Sequence, residues 1–218
     1  MKVLIFGGTG LVGRPVVEKA MAAGHEVTVF TRNKKNVQQQ GVRIVEGSVQ
    51  NSADVARAVE GQQCVIQCIG IGGRGDGSKT TVASDANRII TRAMQQAGVR
   101  RYIAMSVIGA GDSWQFLPWI YRKCILPWFQ KWFVPIIDDK NRMEADIHHS
   151  GLDWTVVRGT TVKDAPAKGH YKTIVSTNRP SLDGKGISYS ITAPDLADFI
   201  VSQIEDTTFV QQSPVVCN

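Results

Sequence analysis

Cysteine and histidine are both scarce in this sequence. The 218-residue chain has four of each, and no two cysteines form a C-x-x-C pair or lie near histidines at zinc-ligand spacing. The sequence therefore predicts no metal site. Cys64 and Cys68 fall in one expected strand, where side chains four residues apart lie about 13 Å from each other and cannot form a disulfide. We expect all four thiols, including those of Cys124 and Cys217, to be reduced and buried.

Long apolar runs, targeting features and clustered basic residues are also missing. No stretch reaches the roughly 18 uninterrupted apolar residues of a transmembrane helix, and Lys2–Phe6 is typical of a strand rather than of a signal peptide. The net charge is +6, but the lysines and arginines are spread along the chain, which argues against nucleic-acid binding. An anionic cofactor or substrate accounts better for the basic excess. We expect a cytoplasmic protein that binds an anionic small molecule.

Apolar runs and helical patterns alternate over the first 110 residues. The runs contain few polar positions, which is typical of parallel strands covered on both faces. The predicted strands are Val3–Phe6, Glu26–Phe30, Val42–Glu46, Cys64–Ile69 and Arg101–Ser106. The predicted helices between them are Leu11–Ala23, Ser52–Val59 with Ser52 as N-cap, and Val82–Ala97. This alternation predicts an α/β fold, a doubly wound parallel sheet of the Rossmann type, as a single domain over residues 1–218.

Smaller elements follow on the expected substrate side of the sheet. The sequence predicts a helix over Asp139–His149, a sixth strand over Trp154–Arg158 and a last helix over Asp195–Ile204, with Pro194 in its first turn. His170–Val175 and Ile187–Ile191 resemble the two strands of a hairpin.

Three glycines lie between the first predicted strand and the first predicted helix. Gly7, Gly10 and Gly13 are spaced by three residues within the segment Gly7–Gly13. In such a loop the first glycine permits a tight turn, the second lets the backbone approach a pyrophosphate, and the third allows close packing of helix on strand. The N-terminus of the following helix favours an anion. The position of the triplet therefore predicts a dinucleotide site.

The end of the second predicted strand indicates which dinucleotide is bound. NAD sites carry an acidic residue there for the ribose hydroxyls, whereas this chain has Thr31 and Arg32 followed by Asn33, Lys34 and Lys35. A guanidinium can bind a 2′-phosphate through two parallel hydrogen bonds. The segment therefore favours NADP(H) over NAD(H).

Several segments resemble those of the atypical short-chain dehydrogenase/reductases. The chain is most similar to the flavin reductase and biliverdin-IXβ reductase group, with NmrA-like proteins as neighbours. The segments that carry the resemblance are Phe6–Gly10, Thr31–Asn33, Gly47–Val49, Ser52–Val55, Ser106, Asp138–Met143, Ser150–Leu152 and Leu182–Gly186.

The resemblance implies a role for individual residues. It places one group of residues at the pyrophosphate, namely Gly7, Thr9, Gly10, Leu11, Val12 and Gly13. It places the rest of the cofactor along Thr31 and Arg32 (2′-phosphate), Ser48 and Val49 (adenine), Ile69 and Gly70 (nicotinamide ribose), and Gly159 and Thr160. Ser106 is the candidate catalytic residue, at the nicotinamide or the substrate. For Lys140 two interpretations stay open, a contact with the nicotinamide ribose and an exposed position on a helix.

Departures from the family pattern bear on the chemistry. Ser48 stands where the family usually has an aspartate, and Ile136 stands where its extended members have a tyrosine. The biliverdin reductase group has a histidine near the position of Gly159–Thr161, and this chain has none there. Without a phenol to protonate an alkoxide, carbonyl reduction is not expected. A planar, conjugated acceptor such as a flavin, a biliverdin or a quinone needs only alignment and a proton from water. We expect a reductase of this kind, with FMN or FAD as substrate rather than prosthetic group; the alternative is a silent, NmrA-like NADP-binding sensor or assembly factor.

Residues 112–137 are rich in aromatic side chains, and their role stays open. They contain four of the five tryptophans together with Arg122, Lys123 and Lys131. Three interpretations fit: packing on the core or in a dimer, a substrate lid that uses Trp114, Phe116 and Trp119, and contact of residues 114–133 with a membrane surface or a partner protein. Arg74, in the glycine-rich loop after the fourth predicted strand, is a candidate gate over the substrate. The sequence does not distinguish a monomer from a dimer.

Overall fold

The computed structural model of the chain describes residues 1–70, 76–175 and 187–218. Arg74 and the segment 182–186, both singled out in the sequence, lie outside these ranges. Within them, no helix is long and apolar enough to cross a membrane.

The described strands form a large sheet and a small one. In chain order, β1 to β10 are Lys2–Phe6, Glu26–Thr31, Arg43–Glu46, Cys64–Gln67, Arg101–Val107, Asp153–Gly159, Thr161–Lys163, Lys172–Ile174, Ser190–Thr192 and Val215–Cys217. Eight of them make one sheet in the order β3-β2-β1-β4-β5-β6-β10-β8. All neighbours in it are parallel except β10 and β8, while β7 and β9 pair separately.

Helices cover both faces of the large sheet. In chain order, α1 to α5 are Gly13–Ala22, Ser52–Val59, Val82–Ala97, Val134–His148 and Ala193–Ser202. Successive residues of a strand point to opposite faces, so in β1 the side chains of Val3 and Ile5 join the core under α1 and α5, whereas those of Leu4 and Phe6 join the core under α2, α3 and α4. The doubly wound Rossmann fold is confirmed.

The strand order reverses between β1 and β4. From β1 the sheet grows outward through β2 and β3 on one side and through β4, β5 and β6 on the other. The loops that leave the carboxyl ends of β1 and β4 therefore diverge, and a crevice opens between them. This crevice lies next to the glycine loop.

The hairpin predicted from His170–Val175 and Ile187–Ile191 is wrong. Strand β8 pairs with β10, with Ile174 opposite Val215, and strand β9 pairs with β7. Strand β10 has no counterpart in the prediction, because three apolar residues near the end of the sequence carry no periodicity. Strand β10 lies between β6 and β8 and pairs with β8, so β8 does not pair with the following segment as the hairpin would require.

Two helix boundaries and one cysteine also differ from expectation. Helix α4 begins at Val134, five residues before the predicted start, with a proline in its first turn. The N-cap of α2 is Asn51 rather than Ser52, because the Asn51 side chain accepts a hydrogen bond from the backbone N–H of Ala53 at 3.0 Å. All four cysteines are free as expected, but Cys124 is exposed while the other three are buried.

Candidate functional site

The loop between β1 and α1 contains two glycines that the fold itself requires. Gly7 has a φ of +78°, and a Cβ there would lie 2.7 Å from the carbonyl carbon of Cys68 in the loop after β4. A Cβ on Gly13 would overlap with the carbonyl oxygen of Gly7. Gly10 is different, since the nearest atom to a Cβ there is the same oxygen at 3.4 Å. A side chain at Gly10 is thus not excluded by the fold in the way that one at Gly7 or Gly13 is.

The N-terminus of α1 is suited to an anion. The first turn has no acidic residue, and no side chain of the described ranges caps it. The exposed amide groups of a helix start carry a partial positive charge. The Arg14 guanidinium donates to the carbonyl of Thr9 at 3.1 Å and so holds the loop in place. Val12 is buried under the loop, whereas Leu11 is exposed.

The turn after β2 orders its own backbone and presents exposed cations, among them Arg32. The Thr31 hydroxyl accepts from the Asn33 N–H at 3.3 Å, and the Asn33 side chain accepts from the Lys35 N–H at 2.9 Å. Arg32 is exposed, and its guanidinium has no hydrogen-bond or ion-pair partner in the described parts of the chain. The turn therefore presents an uncommitted guanidinium beside the crevice.

The loop after β3 is held by α2. The backbone N–H of Ser48 donates to the Asp54 carboxylate at 3.0 Å, and the Ser48 hydroxyl accepts from the N–H of Gln50 at 3.3 Å. The side chain of Val49 packs partly buried on the core. Asp54 thus holds the backbone of this loop from the first turn of α2.

Lys140 is buried at the ends of the two central strands. Its ammonium group donates to the carbonyl of Met105 at 2.8 Å and to that of Ile69 at 3.2 Å, and it lies 3.7 Å from the sulfur of Met143. The exposed-helix interpretation is therefore wrong. Burial lowers the pKa of Lys140 to about 8, although Asp139 and Glu144 raise it. Lys140 thus connects the loop after β4 to β5. A Cβ added to Gly70 in this loop would meet no atom within 4 Å.

Ser106 belongs to a buried ionic cluster that the sequence did not reveal. Its hydroxyl donates to Glu144 at 2.5 Å. Arg158 binds the same carboxylate through two nitrogens, at 3.2 and 2.7 Å, and also contacts Asp112 and the carbonyl of Ser213. Burial alone lowers the pKa of Arg158, but its bonds to Glu144 and Asp112 raise it overall. An arginine inside a buried strand needs a charged partner. The position of Arg158 in the predicted strand Trp154–Arg158 was therefore the sequence feature that could have indicated this cluster.

Gly159 and Thr160 join the end of β6 to its surroundings. The carbonyl of Gly159 accepts from the N–H of Ile108 at 2.9 Å, and the Thr160 hydroxyl donates to the carbonyl of Val216 at 3.5 Å. Both are buried. The carboxyl end of β6 is therefore stabilised by β10.

A cleft of about 400 Å³ lies between the loop after β5 and the first turns of α4. It is lined by Gly109, Gly111, Trp114, Leu126, Val134, Ile137, Asp138 and Asn141. The N–H of Gly111 donates to the Asn141 side chain at 2.7 Å, and a Cβ on Gly111 would lie 2.7 Å from a carboxylate oxygen of Glu144. The cleft therefore adjoins the cluster that holds Ser106.

The three aromatic residues predicted to contact substrate lie in different environments. Trp114 lines the cleft. Phe116 is buried in a small core with Ile108 and Val215, so it offers little surface to a ligand. Trp119 is exposed and does not line the cleft. No group of three or more metal-ligating side chains occurs within the described ranges.

Known proteins share this fold. The sequence profile of a family described as NAD(P)H-binding matches residues 7–207. An anaerobillin reductase, ChuY of Escherichia coli O157:H7, superposes with a TM-score of 0.79 at 22% identity, covering 100% of this chain and 97% of that one. A short-chain dehydrogenase/reductase of Veillonella parvula, solved with NADP, has a TM-score of 0.72 at 17% identity over 100% and 94% of the two chains.

One relative is named as an assembly factor rather than as a reductase or dehydrogenase. The photosystem II assembly factor Ycf39 of Synechocystis is 26% identical over 161 residues, which are 72% of this chain and 44% of the relative. The match thus spans less than half of that protein's length. The profile match, in contrast, spans most of this chain and includes the glycine loop, β2 and the cluster around Ser106. The chain belongs to the NAD(P)H-binding family of Rossmann proteins.

Proposed function

We propose that the protein is an NADPH-dependent reductase of planar, conjugated acceptors such as flavins, linear tetrapyrroles or quinones. The observation that carries this proposal is the cleft walled by Trp114, which adjoins the buried Ser106–Glu144 pair. An indole wall provides stacking area for a planar ring. The same fold serves the anaerobillin reductase ChuY, which supports an acceptor of this class.

The residues of the crevice fit NADP(H). Gly10 leaves room for a pyrophosphate at the start of α1, where no acidic residue opposes it. Arg32 directly follows β2, and its guanidinium has no partner among the residues that the structure describes, which suits a 2′-phosphate. The resemblance implies that the nicotinamide ribose lies at Ile69 and Gly70, and the ammonium group of Lys140 supports this by binding the Ile69 carbonyl.

Arg32→Ala is expected to remove the preference for NADPH. In the wild type we expect NADPH to bind at least about tenfold more tightly than NADH, since a charge-assisted hydrogen bond contributes about 1.5–3 kcal/mol. Titration calorimetry with both cofactors measures this preference. Arg43→Ala is the matched control, because Arg43 is an exposed arginine at the opposite end of the neighbouring strand β3. Equal affinities in the wild type, or an unchanged preference in Arg32→Ala, would contradict the assignment.

The side chains around the nicotinamide position are arranged to align rather than to donate a proton. The Ser106 hydroxyl donates its only hydrogen bond to Glu144, and the Lys140 ammonium group donates to two backbone carbonyls. Ile136 offers no proton at the position of the usual tyrosine. When bound, NADPH supplies the hydride. Ser106, through its bond to Glu144, holds the end of β5 in place beside the cleft. Trp114 excludes water from one side of the cleft, and solvent supplies the proton.

Ser106→Ala should therefore slow flavin reduction by about tenfold or less, whereas loss of an obligatory acid would cost roughly 10²–10⁴. Single-turnover hydride transfer from NADPH to FMN measures this rate. Trp114→Ala should raise the KM for FMN while kcat changes little, since stacking area is what the indole offers. Trp119→Ala is the control, because that side chain lies outside the cleft lining. A thousandfold loss in Ser106→Ala would overturn the solvent-proton mechanism.

A second function, an NADP-binding sensor or assembly factor without turnover, is favoured by Ile136 and by the similarity to Ycf39. Purified protein incubated with NADPH and a panel of flavins, biliverdins, quinones and dyes separates the two. Turnover of any acceptor well above the uncatalysed rate supports the reductase. Tight NADPH binding with no turnover across the panel supports the sensor.

A further inference from the structure

Large apolar side chains are concentrated on the surface of one segment, from Trp119 to Trp132. The exposed fraction is 78% for Trp128, 66% for Trp119, 59% for Ile120 and 41% for Trp132. Single exposed apolar residues are common on proteins, but a cluster of this kind marks an interaction surface. None of the four lines the cleft.

The segment is attached to the fold by its other side. A π-helix over Tyr121–Phe129 and a short 3₁₀ turn over Lys131–Phe133 precede α4. Leu126 is buried and forms part of the cleft wall, and the Tyr121 hydroxyl donates to the Gln130 side chain. The inward side is thus fixed, and the tryptophans are held outward on an ordered element.

The charge of the segment has one sign. Between Asp112 and Asp138 the sequence has no acidic residue, but it has Arg122, Lys123 and Lys131. Lys123 and Lys131 are exposed among the tryptophans. Lysine is depleted in protein–protein interfaces, whereas basic residues beside tryptophan are typical of surfaces that lie in the headgroup region of a bilayer. The combination therefore fits an anionic lipid surface better than a protein partner.

We propose that this face, made of Trp119, Ile120, Lys123, Trp128, Lys131 and Trp132, docks the protein peripherally on anionic membranes. The tryptophans and Ile120 enter the headgroup boundary, and the two lysines lie against the anionic headgroups. The inference is independent of the reductase activity, since no residue of the face is among the residues that the proposed mechanism uses.

Exposed Cys124 provides a direct probe, because the other three cysteines are buried. The full chain, labelled there with an environment-sensitive fluorophore, is mixed with vesicles of phosphatidylcholine alone or with phosphatidylglycerol added. We expect co-sedimentation and a blue shift of the label with the anionic vesicles, weak binding to the neutral ones, and weaker binding as salt rises. Absence of binding to anionic vesicles at low salt would overturn the proposal.

Variants test the chemistry of the face. Each basic residue near an anionic surface contributes about fivefold to partitioning, so Lys123→Glu/Lys131→Glu should lose at least about 25-fold. Lys2→Glu/Arg92→Glu makes the same change in net charge at exposed positions outside the segment and should keep binding much better. Trp119→Ala/Trp128→Ala should lose about tenfold or more.

Two results contradict docking on lipid. One is equal partitioning of the two charge-reversal variants. The other is a change from dimer to monomer in sedimentation equilibrium for Trp119→Ala/Trp128→Ala, with vesicle binding unchanged, which would assign the face to a second copy of the chain. Thermal melts of each variant confirm that it is folded.

Discussion

Gly10→Val is expected to abolish dinucleotide binding while the protein remains folded. The nearest atom to a Cβ at Gly10 is the Gly7 carbonyl oxygen at 3.4 Å, an ordinary contact, and its φ is not in the left-handed region. The fold therefore has room for a Cβ at this position. A pyrophosphate has no room beside a valine, which holds the ligand away from the helix start. We expect a loss of NADPH affinity of at least about a hundredfold, equivalent to about 2.7 kcal/mol.

Calorimetric titration with NADPH and circular dichroism of the free protein measure the two effects separately. Gly13→Ala is the contrasting variant, because a Cβ at Gly13 overlaps with the Gly7 carbonyl and the loop must move. We expect Gly13→Ala to lower the free energy of unfolding even without cofactor. Normal NADPH binding by Gly10→Val would show that the pyrophosphate lies elsewhere.

The second large effect concerns stability. Arg158→Met leaves the carboxylate of Glu144 buried without its bidentate partner, where both side chains are almost fully inaccessible. Removal of one member of a buried ion pair costs about 3–5 kcal/mol of unfolding free energy. Urea unfolding of the wild type and of Arg158→Met measures this loss.

A surface pair provides the control for this prediction. Arg100 binds Asp153 with a nitrogen–oxygen distance of 2.9 Å, but its side chain is 64% exposed, so Arg100→Met should cost no more than about 1 kcal/mol. The double variant Arg158→Met/Glu144→Gln should recover part of the loss, since it removes both charges. Equal losses for Arg158→Met and Arg100→Met would show that water reaches the buried cluster.

Local patterns in the sequence were sufficient for the Rossmann half of the fold. The runs of β1, β2, β4 and β5 are short and carry no charged residue after their first position, and each helix between them is marked by an amphipathic pattern. Gly7, Gly10 and Gly13 could be placed because their spacing and their position after a strand are both local. Their separate roles could not, because these depend on Cys68 and on the loop after β4.

Features that depend on distant partners escaped prediction. The sequence around Lys140 is compatible with an exposed or a buried side chain. Its burial depends on the carbonyls of Ile69 and Met105, which are distant in the sequence and accept its hydrogen bonds. Glu144 and Arg158 are 14 residues apart on different elements, and the packing of α4 on the sheet brings them together. The role of residues 112–137 was open for the same reason, since the sequence does not say which aromatic side chains turn inward.

Strand β10 has a consequence for the order of events during synthesis. It lies between β6 and β8, so its three residues are needed before either neighbour has its final partner. While the ribosome is still adding residues beyond 160, the edge of β6 is an unpaired, apolar template in a parallel sheet. The sheet cannot close until Val215–Cys217 have left the exit tunnel. Nascent chains are thus exposed to edge-to-edge association until this strand has emerged from the ribosome.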